Sequence, residues 1–336
     1  MTKRLNLTLA FVPLLNADLF AEEHWRRLDA LCDVLDREPL VAFGEARAAA
    51  LLQATDILLT GWGCPAIDEW VLERAPHLQA IVHAAGTVKD HVSAAVWARG
   101  IRVTAAAAAN AVSVAEFTLA AILFANKRVF QLQRGYRDAR QFQWWTAKYP
   151  GLGNYQKTIG IVGASHVGRK VIELLRPFDF TVLLTDPFVE SAAASALGVR
   201  LVELDELLQT ADIVSLHAPA LPETRHMIDA ARLRRMRDGA TLINTARGAL
   251  VDHTALETEL RSGRLNAVLD TTEPEVLPAD SPLYDLPNVF VTPHIAGSMG
   301  SETQRMATLA IDEIERYVRG EPLKHEIRAS DLTRMA

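Results

Sequence analysis

Arg247, Glu275 and His294 lie in the last third of a 336-residue chain, inside the stretches LINTARGALVD, LDTTEPE and VTPHIAG. An arginine guanidinium stays protonated and presents a planar fork of donors that fits a carboxylate or a keto oxygen while polarising the carbonyl. A histidine exchanges a hydroxyl proton near neutral pH. A carboxylate beside it orients the ring and stabilises its protonated form. Together these three side-chain types equip a site for hydride transfer on a 2-hydroxy acid.

Such a transfer calls for a dinucleotide, and GIVGASHVGRKV, Gly160–Val171, has the pattern of a phosphate-binding turn. Gly163 and Gly168 hold the first and third positions of G-x-G-x-x-G, which set the tight bend and the close helix–strand packing. The second position is Ser165, whose hydroxyl either crowds the phosphates or donates to them. Asp186 comes 18 residues after Gly168, close to the roughly 20-residue step at which an acid accepts from the adenosine ribose hydroxyls. A carboxylate there repels a 2′-phosphate, and Pro187-Phe188-Val189 brings no arginine to hold one. NAD is therefore expected rather than NADP.

Residues so scattered need a scaffold that gathers strand ends. Six short apolar runs alternate with helical patterns: TIGIVG (158–163), TVLLTD (181–186), DIVSLHAP (212–219), ATLINTAR (240–247), LNAVLDTT (265–272) and NVFVTPH (288–294). That alternation predicts a parallel sheet with right-handed crossovers, whose ligands bind at the carboxyl ends of the strands. The strand ends carry Gly163, Asp186, His217 with Pro219, Arg247, Asp270 with Glu275, and His294. Four looser runs, 7–13, 56–62, 78–86 and 101–107, predict a second, smaller α/β domain. A capping box Ser113-Val-Ala-Glu116 predicts a long helix from Ser113 to about Arg134. The helical segment 301–320 is expected to return the C-terminus to the first domain.

The charged fraction of 23% and the apolar fraction of 49% are those of a soluble globular protein. A net charge of −6 speaks against a nucleic-acid groove or a polybasic membrane patch, leaving small molecules as the expected partners. The two cysteines, Cys32 and Cys64, have no metal-type spacing; no metal site or disulfide framework is expected, and a reducing, cytoplasmic setting is. The N-terminal KRLNLTLAFVPLLNA imitates a secretory leader, but Asn6, Thr8 and Pro13 interrupt it, and it reads as a first strand. The longest apolar helical run, Val114–Ala125, carries Glu116 and falls short of the roughly 20 residues that a bilayer needs.

Four stretches, 109–123, 212–228, 242–275 and 282–297, together with the glycine turn, resemble the D-isomer-specific 2-hydroxyacid dehydrogenase family over roughly residues 105–300. INTARG, the LD-x-x-x-x-E spacing and TPHIAG in that order are the specific part. The resemblance implies that Arg247 contacts the substrate carboxylate and carbonyl, that His294 is the acid/base, and that Glu275 is its partner. Glu275, five positions after Asp270, fits the family pattern where Glu273 does not. The resemblance also implies a cofactor site formed by Gly163, Ser165, His166, Val167, Gly168, Asp186, His217, Ala218, Pro219, Thr245, Ala246 and Asp270, with Asp270 at the nicotinamide carboxamide. Ala85, Gly86 and Thr87 resemble the loop whose N–H groups bind the substrate carboxylate, and Trp62, Trp144 and Trp145 are further candidates for specificity. Family members commonly pair as homodimers through the helix after the VAE motif.

Three positions depart from the family pattern: Val276 for a common proline, Leu221 for a threonine, and His166 for an arginine at the phosphates. Glutamate rather than glutamine at 275 argues against a formate dehydrogenase. The combined expectation is an α/β chain with two Rossmann-like domains. In it a doubly wound parallel-sheet NAD-binding domain (111–300) is inserted in a smaller flavodoxin-like substrate domain (1–110 plus 301–336). Two other functions stay open on this reading: a dinucleotide-sensing corepressor, since fold alone does not fix function, and a dehydrogenase of another small anion such as phosphite.

Overall fold

A computed structural model describes residues 4–149 and 151–335. Among them two fully parallel sheets form. The strands β1 (Asn6–Ala10), β2 (Asp33–Val34), β3 (Ile57–Thr60), β4 (Ala80–His83) and β5 (Arg102–Ala105) line up in the order β2-β1-β3-β4-β5. The second sheet contains β6 (Thr158–Val162), β7 (Thr181–Thr185), β8 (Arg200–Leu201), β9 (Ile213–Leu216), β10 (Thr241–Asn244), β11 (Asn266–Leu269) and β12 (Val289–Val291). Its order is β12-β11-β10-β9-β6-β7-β8. The first order is that of flavodoxin-like sheets and the second that of dinucleotide-binding sheets, with the chain reversing direction of growth between β6 and β9. By compactness the chain divides into Met1–Ala111 with Ser298–Met335, and Val112–Gly297.

Every residue of β3, β4, β9, β10 and β11 is buried, as in strands covered by helices on both faces. Alternate residues feed two cores per unit. In the larger unit Val214, Leu242 and Leu269 point to one face, and Ile213, Ile243 and Val268 to the other. In the smaller unit, the helix Thr303–Val318 lays Met306, Ala310, Ile311 and Ile314 against Leu7, Leu9, Ile57 and Val82. Burial also raises the thiol pKa of Cys32 to about 11 and of Cys64 to about 12, so both behave as packing residues.

The structure corrects the long-helix expectation. The helix starts at Ala107, not Ser113, and runs to Asn126, so Ser113 and Glu116 lie within it rather than forming a capping box at its start. Alanines 107–109, the best helix formers, carry the initiation six residues upstream. Nor does the helix reach Arg134: Arg128 takes a left-handed φ of 48°, and a second helix, Val129–Ala139, starts after it. At 20 residues, Ala107–Asn126 is long and apolar enough to cross a membrane by length and composition alone. Ala115, Ala121, Ile122 and Ala125 are nevertheless packed into the core of the larger unit. The two-residue strands β2 and β8 add to the ten expected, so the larger sheet has seven strands instead of six.

Candidate active site

The carboxyl edge of the seven-stranded sheet begins with the turn after β6. Gly163 sits at φ 98°, and a Cβ there would lie 2.7 Å from the Ala218 nitrogen, where the chain leaving β9 crosses. A Cβ on Gly168 would meet the Gly163 carbonyl oxygen at 2.0 Å. Ser165, in contrast, is extended (φ −62°, ψ −179°), a conformation open to any residue, and it caps the helix His166–Leu175 by accepting from Gly168 N at 3.4 Å. The missing middle glycine is thus not required by the backbone path. Asp186 closes the turn from the side, accepting from Ala164 N at 2.7 Å and Phe188 N at 2.8 Å. Arg169 Nε donates to the Ala164 carbonyl at 2.8 Å. A ten-residue helix N-terminus, a close-packed glycine bend and an acid at the next strand end form a cradle that fits NAD, with His166 and Val167 in the helix's first turn.

After β10 the chain turns under the control of buried Asn244. Its Oδ1 accepts from Ala246 N at 3.1 Å, and its Nδ2 donates to the Arg247 carbonyl at 2.8 Å. Thr245 is buried, and because Thr118 Oγ1 donates to the Val114 carbonyl, the 3.0 Å contact between the two threonines has Thr245 as donor. Arg247 Nη1 donates to the Ala246 carbonyl at 2.7 Å. Gly248 fits because a Cβ there would lie 2.2 Å from the Thr272 carbonyl oxygen, which packs the Arg247 turn directly on the chain leaving β11.

That chain carries the acid. Asp270, 2% exposed, accepts three hydrogen bonds: from Thr292 Oγ1 at 2.6 Å, Ile295 N at 2.8 Å and Ala296 N at 2.9 Å. Its carbonyl accepts from His294 N at 2.9 Å. One aspartate therefore ties β11 to both sides of His294, whose own φ is 55°. His294 Nδ1 lies 2.5 Å from Glu275 Oε1, and both side chains are about half exposed. Against an ionised carboxylate, which only accepts, Nδ1 is the donating nitrogen of this contact. Glu273 points elsewhere, held by Arg225 Nη1 at 2.8 Å and by His226 Nε2 at 3.4 Å. Arg225 beside it lowers the Glu273 pKa. Among the described residues no group of three or more metal-ligating side chains occurs.

His217 directly follows β9 at this edge, but its ring is turned into the interior. Its ring is 4% exposed, pairs through Nε2 with Ser215 Oγ at 2.9 Å, and burial drives its pKa to about 3. Only the backbone of His217, Ala218 and Pro219 remains as the wall beside Gly163, and the Pro219 carbonyl accepts from Thr224 Oγ1 at 2.6 Å. In the smaller unit, Ala85 is fully buried while Gly86 and Thr87 are partly open, and a Cβ on Gly86 would stand at an ordinary 3.5 Å from Asn110 Nδ2. Trp62 is 37% and Trp144 77% exposed, whereas Trp145 packs over Gly135.

Residues 119–296 match the description "D-isomer specific 2-hydroxyacid dehydrogenase, NAD binding domain". The chain belongs to that family. It is 35% identical over 291 residues to a D-3-phosphoglycerate dehydrogenase of Mycobacterium bovis, covering 85% of this chain and 52% of that protein. It is 36% identical over 261 residues to a glyoxylate reductase of Korarchaeum cryptofilum, covering 76% and 77%. A crystal structure of a D-lactate dehydrogenase from Treponema pallidum superposes with a TM-score of 0.75 at 26% identity, over 96% of this chain and 99% of that one. The match spans about half the length of the curated phosphoglycerate dehydrogenases.

Within the family's NAD-binding domain, the structure adds residues that sequence reasoning passed over: Asn244, Thr292, Arg169 and Arg225, the partner of Glu273. Asn244 and Arg169 bond backbone groups, Thr292 bonds the Asp270 carboxylate, and Arg225 holds the Glu273 carboxylate. Asn244 and Thr292 have only their place at strand ends as a sequence signal, which many inert residues share.

Proposed function

We propose that this protein is an NAD-dependent oxidoreductase that interconverts a D-2-hydroxy acid and its 2-keto acid. The observation that supports this most is the 2.5 Å contact between His294 Nδ1 and Glu275 Oε1, on a loop fixed by Asp270. NAD, when bound, supplies the hydride acceptor of the reaction. His294 Nε2 takes the hydroxyl proton in oxidation and returns it to the carbonyl oxygen in reduction, while the Glu275 carboxylate stabilises the charged ring that results. Arg247 binds the substrate carboxylate and carbonyl. Asp186 selects NAD through the ribose hydroxyls, and Asp270 adds to its loop-fixing role a contact to the nicotinamide carboxamide.

We further propose a cytoplasmic homodimer, paired through the segment that follows Ser113. The helix Val129–Ala139 is amphipathic yet has no buried residue, and Phe142 and Trp144 beyond it are 76% and 77% exposed. Sedimentation of the full chain is expected to give twice the chain mass. The activity is tested by NADH oxidation against glyoxylate, hydroxypyruvate, pyruvate and phenylpyruvate. Turnover with at least one, abolished in Arg247→Gln, is the expected result; tight NADH binding with no turnover on any 2-keto acid would overturn it.

A further inference from the structure

The amino ends of β6, β9 and β10, opposite the strand ends described above, border a second concavity. It has a volume of about 200 Å³, and its walls include Asn126, Arg128, Lys157, Asp212, Arg237 and Asp238. Cations outnumber carboxylates three to two there, in a chain whose net charge is −6. The carboxylates are committed. Asp212 lies 3.6 Å from Lys157 Nζ and 3.2 Å from Arg237 Nη1, and its other oxygen accepts from Thr158 N at 2.9 Å. Asp238 faces Arg264 at 3.3 Å.

Among the described residues Arg128 pairs with no carboxylate. Its guanidinium donates to Asn266 Oδ1 at 3.2 Å and to the Gly239 carbonyl at 3.3 Å, and sits 4.9 Å from the Tyr149 ring centroid. Two neutral acceptors and an aromatic face leave its charge without a counter-ion, although the group is half withdrawn from water. Beside it Asn126 is 6% exposed, and its Nδ2 is buried with no hydrogen-bond partner among the described residues. A desolvated amide donor with nothing to donate to is costly unless an acceptor arrives from solution.

An oxyanion supplies what both groups lack: negative charge for Arg128 and for the shared Lys157 and Arg237, and an acceptor for the Asn126 amide. We propose that this cleft is a binding site for a small phosphate-class anion, either free phosphate or a phosphomonoester. It is separate from the strand-end site and independent of the substrate assigned to that site.

The test is calorimetric titration of the full chain, saturated with NADH so that the cofactor turn is covered, with inorganic phosphate and in parallel with glycerol 3-phosphate at constant ionic strength. One saturable site per chain is expected, weakened at least about tenfold in Arg128→Gln and in Arg237→Gln, and unchanged in Arg247→Gln, which removes only the strand-end guanidinium. Stronger binding of the ester would assign the site to phosphomonoesters, and equal binding to free phosphate. Should Arg128→Gln fail to fold by circular dichroism, Lys157→Gln gives the same reading. No saturable binding of either anion, or binding that survives the cleft variants and disappears in Arg247→Gln, would overturn the proposal.

Discussion

At the carboxyl edge of the five-stranded sheet β4 ends on His83, which is 2% exposed, bonded to Thr60 Oγ1 at 2.9 Å and packed against the tilted ring of His91 with centroids 4.4 Å apart. At the same edge of the seven-stranded sheet, the chain leaving β12 ends on His294, whose side chain is 48% exposed and bonded to a carboxylate. Both positions obey the rule that ligands gather at strand ends. Burial, with the neighbouring imidazole adding to it, holds His83 well below the usual histidine range, so that ring stays neutral. Position on a sheet thus selects candidates, and exposure with a charged partner separates the proposed proton carrier from a packing residue.

The largest test of that contrast exchanges the two histidines' roles. His294→Gln is expected to lower kcat by about 10²–10⁴-fold with NADH affinity unchanged in a fluorescence titration. His83→Gln should leave NADH affinity intact and lower Tm. Equal losses of kcat in the two variants would erase the distinction. Next in size is Gly168→Ala, whose Cβ would press on the Gly163 carbonyl. Overpacking of this kind costs about 1–3 kcal/mol, to be seen as weaker NAD binding and a lower Tm.

The buried histidines also make a prediction about acid. His217 titrates near 6.5 when unfolded and at about 3 when folded, so between those values the unfolded chain binds more protons. Stability is then fully present above pH 6.5 and declines as pH falls toward 3, by at most ~1.4 kcal/mol per pH unit for this one group. His83 and His91, shifted in the same direction, steepen the decline. Urea unfolding at pH 7 and pH 5 should show it, and His217→Gln should reduce the difference; a flat profile would mean that these rings are solvated. The smallest effect is reserved for Ser165→Gly. Because Ser165 is extended and its cap bond is long, the Kd for NAD should change by less than about tenfold, ~1.4 kcal/mol.

Much of this was legible in the sequence because parallel strands buried on both faces write themselves as apolar runs, and the residue after each run falls on the open edge. Asp186, Arg247, Asp270 and His294 were singled out as candidates in that way, and Glu275 by its spacing from Asp270 in the family pattern. Helix limits were less legible. Ser113 and Glu116 spelled a cap, but the alanines before them, with high intrinsic propensity, extended the helix over it. β2 and β8 left no signature because two residues show no periodicity. The burial of His217 was hidden for another reason: its partner, Ser215, lies two residues earlier inside β9, where it reads as just another strand residue.

Asp270 has a consequence for how variants in this region are interpreted. It joins β11 to Thr292, Ile295 and Ala296, so substituting it frees the segment that presents His294. An assay of turnover alone would rank the aspartate and the histidine as equals. Amide exchange separates them: protection at Ile295 and Ala296 should collapse in Asp270→Asn and persist in His294→Gln, so inactivity there has two origins, one mechanical and one chemical.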